Sequence, residues 1–86
     1  MASVTMRYWA AAKDAAGVAE ERVCARTLAA ALAAAQGSRA APGRLDAVLA
    51  RSSFLIDGQP VGTRAAESVE LADGAVIEVL PPFAGG

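Results

Sequence analysis

The chain predicts an α+β domain, a mixed sheet with one main helix packed on one face. Three observations carry this. Apolar and polar residues alternate near both ends, over residues 4–10 and again over 75–80, as they do in half-buried strands. Between them lies one alanine-rich stretch, "LAAALAAAQ", whose leucines and alanines recur at helical spacing. Two Asp-Gly pairs, at 57–58 and 73–74, are tight-turn signals. Eighty-six residues make one domain whose core removes somewhat over half of the unfolded chain's surface from water.

Along the chain, "VTMRYWA" (4–10) is β-prone, with Val4, Met6 and Tyr8 on one face and Thr5, Arg7 and Trp9 on the other. "AAKDAAG" is a short helical or turn-like connection closed by Gly17, and "AEERVCA" (19–25) returns as a second strand. Thr27 is placed to cap "LAAALAAAQ", whose stripe of Leu28, Ala31, Leu32 and Ala35 ends at Gly37. "SRAAPG" reads as a loop, and "RLDAVLARS" sets Leu45, Val48 and Leu49 on one side of a shorter helix. "SFLIDGQPV" is a strand with an Asp-Gly turn, "ESVEL" a short extended piece, and "DGAVIEVL" a turn and a last strand. A hairpin leading into a helical crossover gives a mixed sheet with one face covered, the β-grasp (ubiquitin-like) arrangement. The domain is expected to occupy residues 1–80, with 81–86 a flexible tail.

Composition removes several kinds of chemistry. There is no histidine, so the usual acid–base agent near neutral pH and every histidine-dependent triad are missing. One cysteine makes no internal disulfide, and a zinc site built from one thiolate and carboxylates departs from the usual donor sets. The net charge of −1 comes from scattered residues, so no basic stripe points to nucleic acid or to anionic lipid. The longest apolar run, residues 28–35, is too short to span a bilayer. The N-terminal residues lack the pattern of a secretion signal, so a cytoplasmic location is expected, with no metal and no cofactor held by the chain itself.

The ending, "PPFAGG", carries the functional signal. Pro81 and Pro82 cannot continue a ladder and favour extended geometry, so they end the strand and project the last residues away from the sheet. Gly85 and Gly86 have no Cβ and fit a narrow channel. Two terminal glycines arise by chance about once in two hundred chains at ordinary usage.

On these residues the chain resembles the MoaD/ThiS family of ubiquitin-like sulfur carriers. "VTMRYWAAAKDAAG", "IDGQPV" and above all "LADGAVIEVLPPFAGG" carry the likeness. It covers nearly the whole sequence, with 27–53 least diagnostic, and the "RYWAA" opening favours the molybdopterin branch. The resemblance implies that the reactive group is the main-chain carboxyl of Gly86, with Gly85 beside it. A MoeB-like E1 adenylyltransferase would activate it with ATP, and a sulfur donor enzyme would convert it to a thiocarboxylate. A MoaE-like large subunit of molybdopterin synthase would then receive the tail. The chain would thus be the non-catalytic, sulfur-donating subunit of a sulfurtransferase. Two other readings stay open: a carrier feeding thiazole or cysteine synthesis, and a ubiquitin-like modifier or binding module.

The remaining residues divide between packing and docking. Asp57-Gly58 and Asp73-Gly74 are expected to be turn chemistry alone. Cys24, in a strand, reads as a small packed hydrophobe rather than a sulfur relay. Trp9 and Leu80 fall on the face opposite the core by alternation, and are expected to dock partners together with Pro81, Pro82 and Phe83.

Overall fold

The computed structural model describes residues 2–37 and 43–82. The strands are β1 (Ala2–Tyr8), β2 (Glu20–Ala25), β3 (Ser53–Ile56), β4 (Gln59–Pro60) and β5 (Val76–Leu80). The helices are α1 (Ala10–Ala16), α2 (Leu28–Gly37) and α3 (Gly43–Leu49), with a 3-10 turn at Ala66–Ser68. The sheet order is β2-β1-β5-β3-β4. β1 pairs antiparallel with β2 and parallel with β5, and β3 pairs antiparallel with both β5 and β4. This is a β-grasp fold: the hairpin β1–β2, the helical crossover, and the last strand returning beside the first.

Alternation decides which face is covered. Val4, Met6 and Tyr8 of β1 and Ile77 and Val79 of β5 are buried, and they meet Leu28, Ala31 and Ala35 of α2 and Leu45 and Leu49 of α3. Among the described residues, seven side chains, Tyr8, Met6, Leu28, Leu45, Ile77, Val4 and Val79, are the largest fully buried ones. Each such burial is worth about 1.5–3 kcal/mol, against far less for an alanine. The core alanines at 12, 25, 31, 35 and 75 therefore contribute mainly by letting backbones approach. Truncating one of the seven is what would undo the fold.

Local chemistry sets the boundaries. Thr27 Oγ1 accepts the Ala30 N–H at 3.2 Å, the expected cap for α2, and the Leu28 N–H donates to the Val69 carbonyl at 2.9 Å. Gly17 closes α1 at φ 82°, its N–H donating to the Lys13 carbonyl. Asp57 and Gly58, at φ 49° and 83°, form the two-residue turn with both φ positive that joins β3 to β4.

Three expectations are corrected. β1 ends at Tyr8 rather than at residue 10, because Ala10 takes a left-handed φ of 49° and turns the chain into α1. "ESVEL" is not a sheet strand: Glu67 and Ser68 lie in the 3-10 turn. There the Ser68 Oγ–H and N–H both donate to the Ala65 carbonyl, at 2.7 and 2.9 Å, a local bond that competes with pairing. Only Glu70 of that segment makes a bridge, to Thr27. Finally, the Asp-Gly carboxylates reach beyond their own turns. Asp57 Oδ1 accepts the Val76 N–H at 3.0 Å, and Asp73 Oδ1 accepts the Ser3 N–H at 2.8 Å.

Candidate functional site

The face opposite the helices carries the outward residues of every strand, Pro60 of β4 beside Leu55 among them. Register places Ser3, Thr5 and Arg7 of β1 beside Cys24, Arg22 and Glu20 of β2. On the other side, Thr5 and Arg7 stand beside Val76 and Glu78 of β5, and β3 sets Leu55 against Glu78 and Ser53 against Leu80. The β2 side is charged: Arg7 Nε lies 3.2 Å from Glu20 Oε2, an exposed pair worth at most about 1 kcal/mol. The β5 side is apolar, with Leu55, Val76 and Leu80 half-buried.

Trp9 completes this apolar end. One residue past β1, it stands where one more step of the parallel register sets it level with Leu80. Its N–H donates to the Val79 carbonyl at 3.3 Å, and its indole Nε1–H donates to Glu78 Oε1 at 3.2 Å. Trp9 is 45% exposed, one of two large hydrophobic side chains so exposed among the described residues; the other is Val18. Trp9, Leu80 and the root of the tail thus come together at one end of the sheet. Alternation pointed to Trp9 and Leu80; Leu55, Val76 and Glu78, which sequence reasoning passed over, were legible by the same alternation.

Two of the named residues differ from expectation. Pro81 is buried and Pro82 exposed, so of the two prolines only Pro82 offers its ring to a partner from the free chain. Phe83, Gly85 and Gly86 lie outside the described residues. Cys24 is exposed rather than packed, because its register partner Ser3 puts it on the open face while Val23 and Ala25 take the covered one. It sits at the far end of that face. Ser3 to Trp9 spans six residues, about 20 Å along a strand, and β2 lies two strand spacings from β5, about 10 Å. The five residues beyond Pro81 reach at most about 18 Å. Only a tail laid fully extended back along the sheet would bring Gly86 near Cys24 of the same chain.

Among the described residues no group of three His, Cys, Asp or Glu is placed to hold a metal ion, and no helix is long and apolar enough to cross a membrane. What the arrangement offers is a partly apolar surface for contact beside Pro81 and Pro82.

Comparison with known proteins agrees with this architecture. The ThiS family model matches residues 6–86. No curated protein matches the chain. Among solved structures, the small archaeal modifier protein 1 of Methanosarcina acetivorans is 22% identical, with 100% of this chain and 98% of that one covered and a TM-score of 0.83. The small archaeal modifier protein 1 of Haloferax volcanii is 23% identical, with coverage of 98% and 99% and a TM-score of 0.79. A complex of subunits 1 and 2 of the molybdopterin-converting factor of Helicobacter pylori holds a chain 23% identical, with coverage of 98% and 99% and a TM-score of 0.69. At these identities the likeness is one of fold. The family match spans nearly the whole chain, and with the β-grasp sheet it makes this protein a member of the ThiS family of ubiquitin-like sulfur carriers.

Proposed function

We propose that the protein is a sulfur carrier in molybdenum-cofactor biosynthesis, acting as the small subunit of molybdopterin synthase. The observation that carries the reading is the family match running through to the Gly85-Gly86 ending, beside an apolar patch at the root of the tail. A carboxylate is a poor acyl electrophile because oxide does not leave. The Gly86 carboxylate therefore attacks ATP on an E1-like adenylyltransferase, pyrophosphate leaves, and an acyl-adenylate forms. Sulfide-level sulfur (HS−), released from a donor enzyme by a thiol reductant, then attacks the acyl carbon, AMP leaves with the bonding pair, and the thiocarboxylic acid loses its proton to leave a thiocarboxylate. ATP and the pterin are held by the partners, so this chain contributes the terminus and the surface that delivers it.

Trp9, Leu55, Val76 and Leu80 form the docking patch for the large subunit. Its support is the exposure of Trp9 and the existence of a fold relative in complex with its subunit 2. A second reading, a modifier joined to lysines through the same activated terminus, is favoured by the likeness to two small archaeal modifier proteins. Intact-mass analysis tests both. With its activating enzyme, ATP and a sulfur donor, the protein gains the difference between sulfur and oxygen at its terminus. Failure under conditions that convert a control carrier overturns the sulfur reading, and lysine-linked adducts in cells support the modifier.

A further inference from the structure

We propose that Glu78 is a positioning residue for docking, holding the Trp9 indole in the orientation a partner receives; this rests on the docking role given to Trp9 above. A tryptophan with nearly half its surface in water ordinarily keeps its rotamer freedom, and a partner must freeze it on binding. Here both ends of the residue are held. The Trp9 N–H donates to the Val79 carbonyl, and the Trp9 carbonyl accepts from the Ala12 N–H at 3.0 Å. The left-handed φ of 49° at Ala10 then turns the chain away immediately after the ring. The indole Nε1–H, its one polar handle, donates to Glu78 Oε1 at 3.2 Å.

Glu78 is placed for this task. It projects from the centre of the open face, with Arg7 beside it on β1 and Leu55 on β3. Arg7, the cation nearest in register, is engaged with Glu20 and leaves Glu78 to the indole. Within the alternation of β5, Val76 and Leu80 on the same side are apolar. A carboxylate between them interrupts an apolar stripe that would otherwise be continuous, and its hydrogen bond to Trp9 accounts for its place there. Preorganising an aromatic anchor lowers the ordering cost of binding without adding a contact.

The test uses Trp9 as its own probe, since the chain has a single tryptophan. Glu78→Ala should lower the nanosecond fluorescence anisotropy of Trp9 in the free protein. It should also weaken binding to the large subunit by about three- to tenfold, the cost of freezing one side chain. Glu78→Gln, whose amide oxygen still accepts from the indole, should restore both. If Glu78→Ala leaves anisotropy and affinity unchanged while Trp9→Ala weakens binding, the positioning role is overturned and the docking role stands. If Trp9→Ala itself binds as the parent does, the docking reading fails first. Melting temperatures of the three variants separate either result from unfolding, and a loss of affinity that Glu78→Gln does not restore also counts against positioning.

Discussion

Cys24 carries a nucleophile that the proposed chemistry does not use. Its thiol is accessible on the open face, which is where a relay to the chain end would have to be. The distance argues against it: Cys24 lies near the start of β1 and Pro81 follows Leu80 beside the end of β1, so only residues laid fully extended back along the sheet would approach the thiol. Cys24→Ser should therefore form thiocarboxylate at the parent rate, since in the proposed function the activated carbon at Gly86 receives sulfur from a partner. Single-turnover sulfuration read by intact mass checks this. Loss of sulfuration in a well-folded variant would mean that the thiol acts while a partner carries the tail or a second copy to it. The misplacement of Cys24 as a packed hydrophobe has a plain cause: residue type argues for burial, but the parity of β2 outranks it.

At the scale of elements, the two Asp-Gly turns do more than reverse the chain. Asp73 fastens the start of β1 through the Ser3 N–H, and Asp57 fastens the start of β5 through the Val76 N–H. Each thus ties a turn to a strand it does not adjoin in sequence. Because the acceptor is a carboxylate and the site is exposed, the bond is expected at the lower end of the range for charged partners. Asp73→Ala should cost about 1.5 kcal/mol of stability, read from the shift in denaturant midpoint at constant slope. The Asp-Gly spacing made the turns legible; the tie to a distant strand was not, since it depends on which strand the sheet brings alongside. The same limit explains "ESVEL". Val69 and Leu71 are buried and Glu70 exposed, so the alternation is real. No continuous neighbour is available to pair with, and Ser68 bonds locally instead. β1, β2, α2, α3 and β5 were legible because each pairs a clear period with a cap or turn residue at its end. Among the site residues, Trp9 and Leu80 were legible by alternation, whereas burial of Pro81 was not, since a proline after a strand carries no signal of which way it packs.

For the whole molecule, packing and delivery are divided along the chain. Among the described residues the largest buried side chains lie on β1, α2, α3 and β5, none beyond Val79, and Pro81 is the last buried one. The group proposed to react is five residues further on. A core of this kind draws its stability from area removed from water, and a terminal glycine brings almost none. Deleting Gly86 should therefore leave the stability within about half a kcal/mol of the parent, the range of a neutral surface change. Sulfuration should nearly vanish, for the new terminal carboxyl stops one residue, roughly 3.5 Å, short of the point the old one reached. That shortfall is large on the scale of catalysis, where a misplacement of about 1 Å can cost a hundredfold. The large subunit should still bind the shortened chain, because the proposed docking patch at Trp9 and Leu80 is untouched. Calorimetry for stability, titration for binding and intact mass for sulfuration measure the three quantities on one variant. A fall in melting temperature would make the last residue part of the packed structure. Sulfuration at the parent rate would show that the reacting carbon is not that of Gly86.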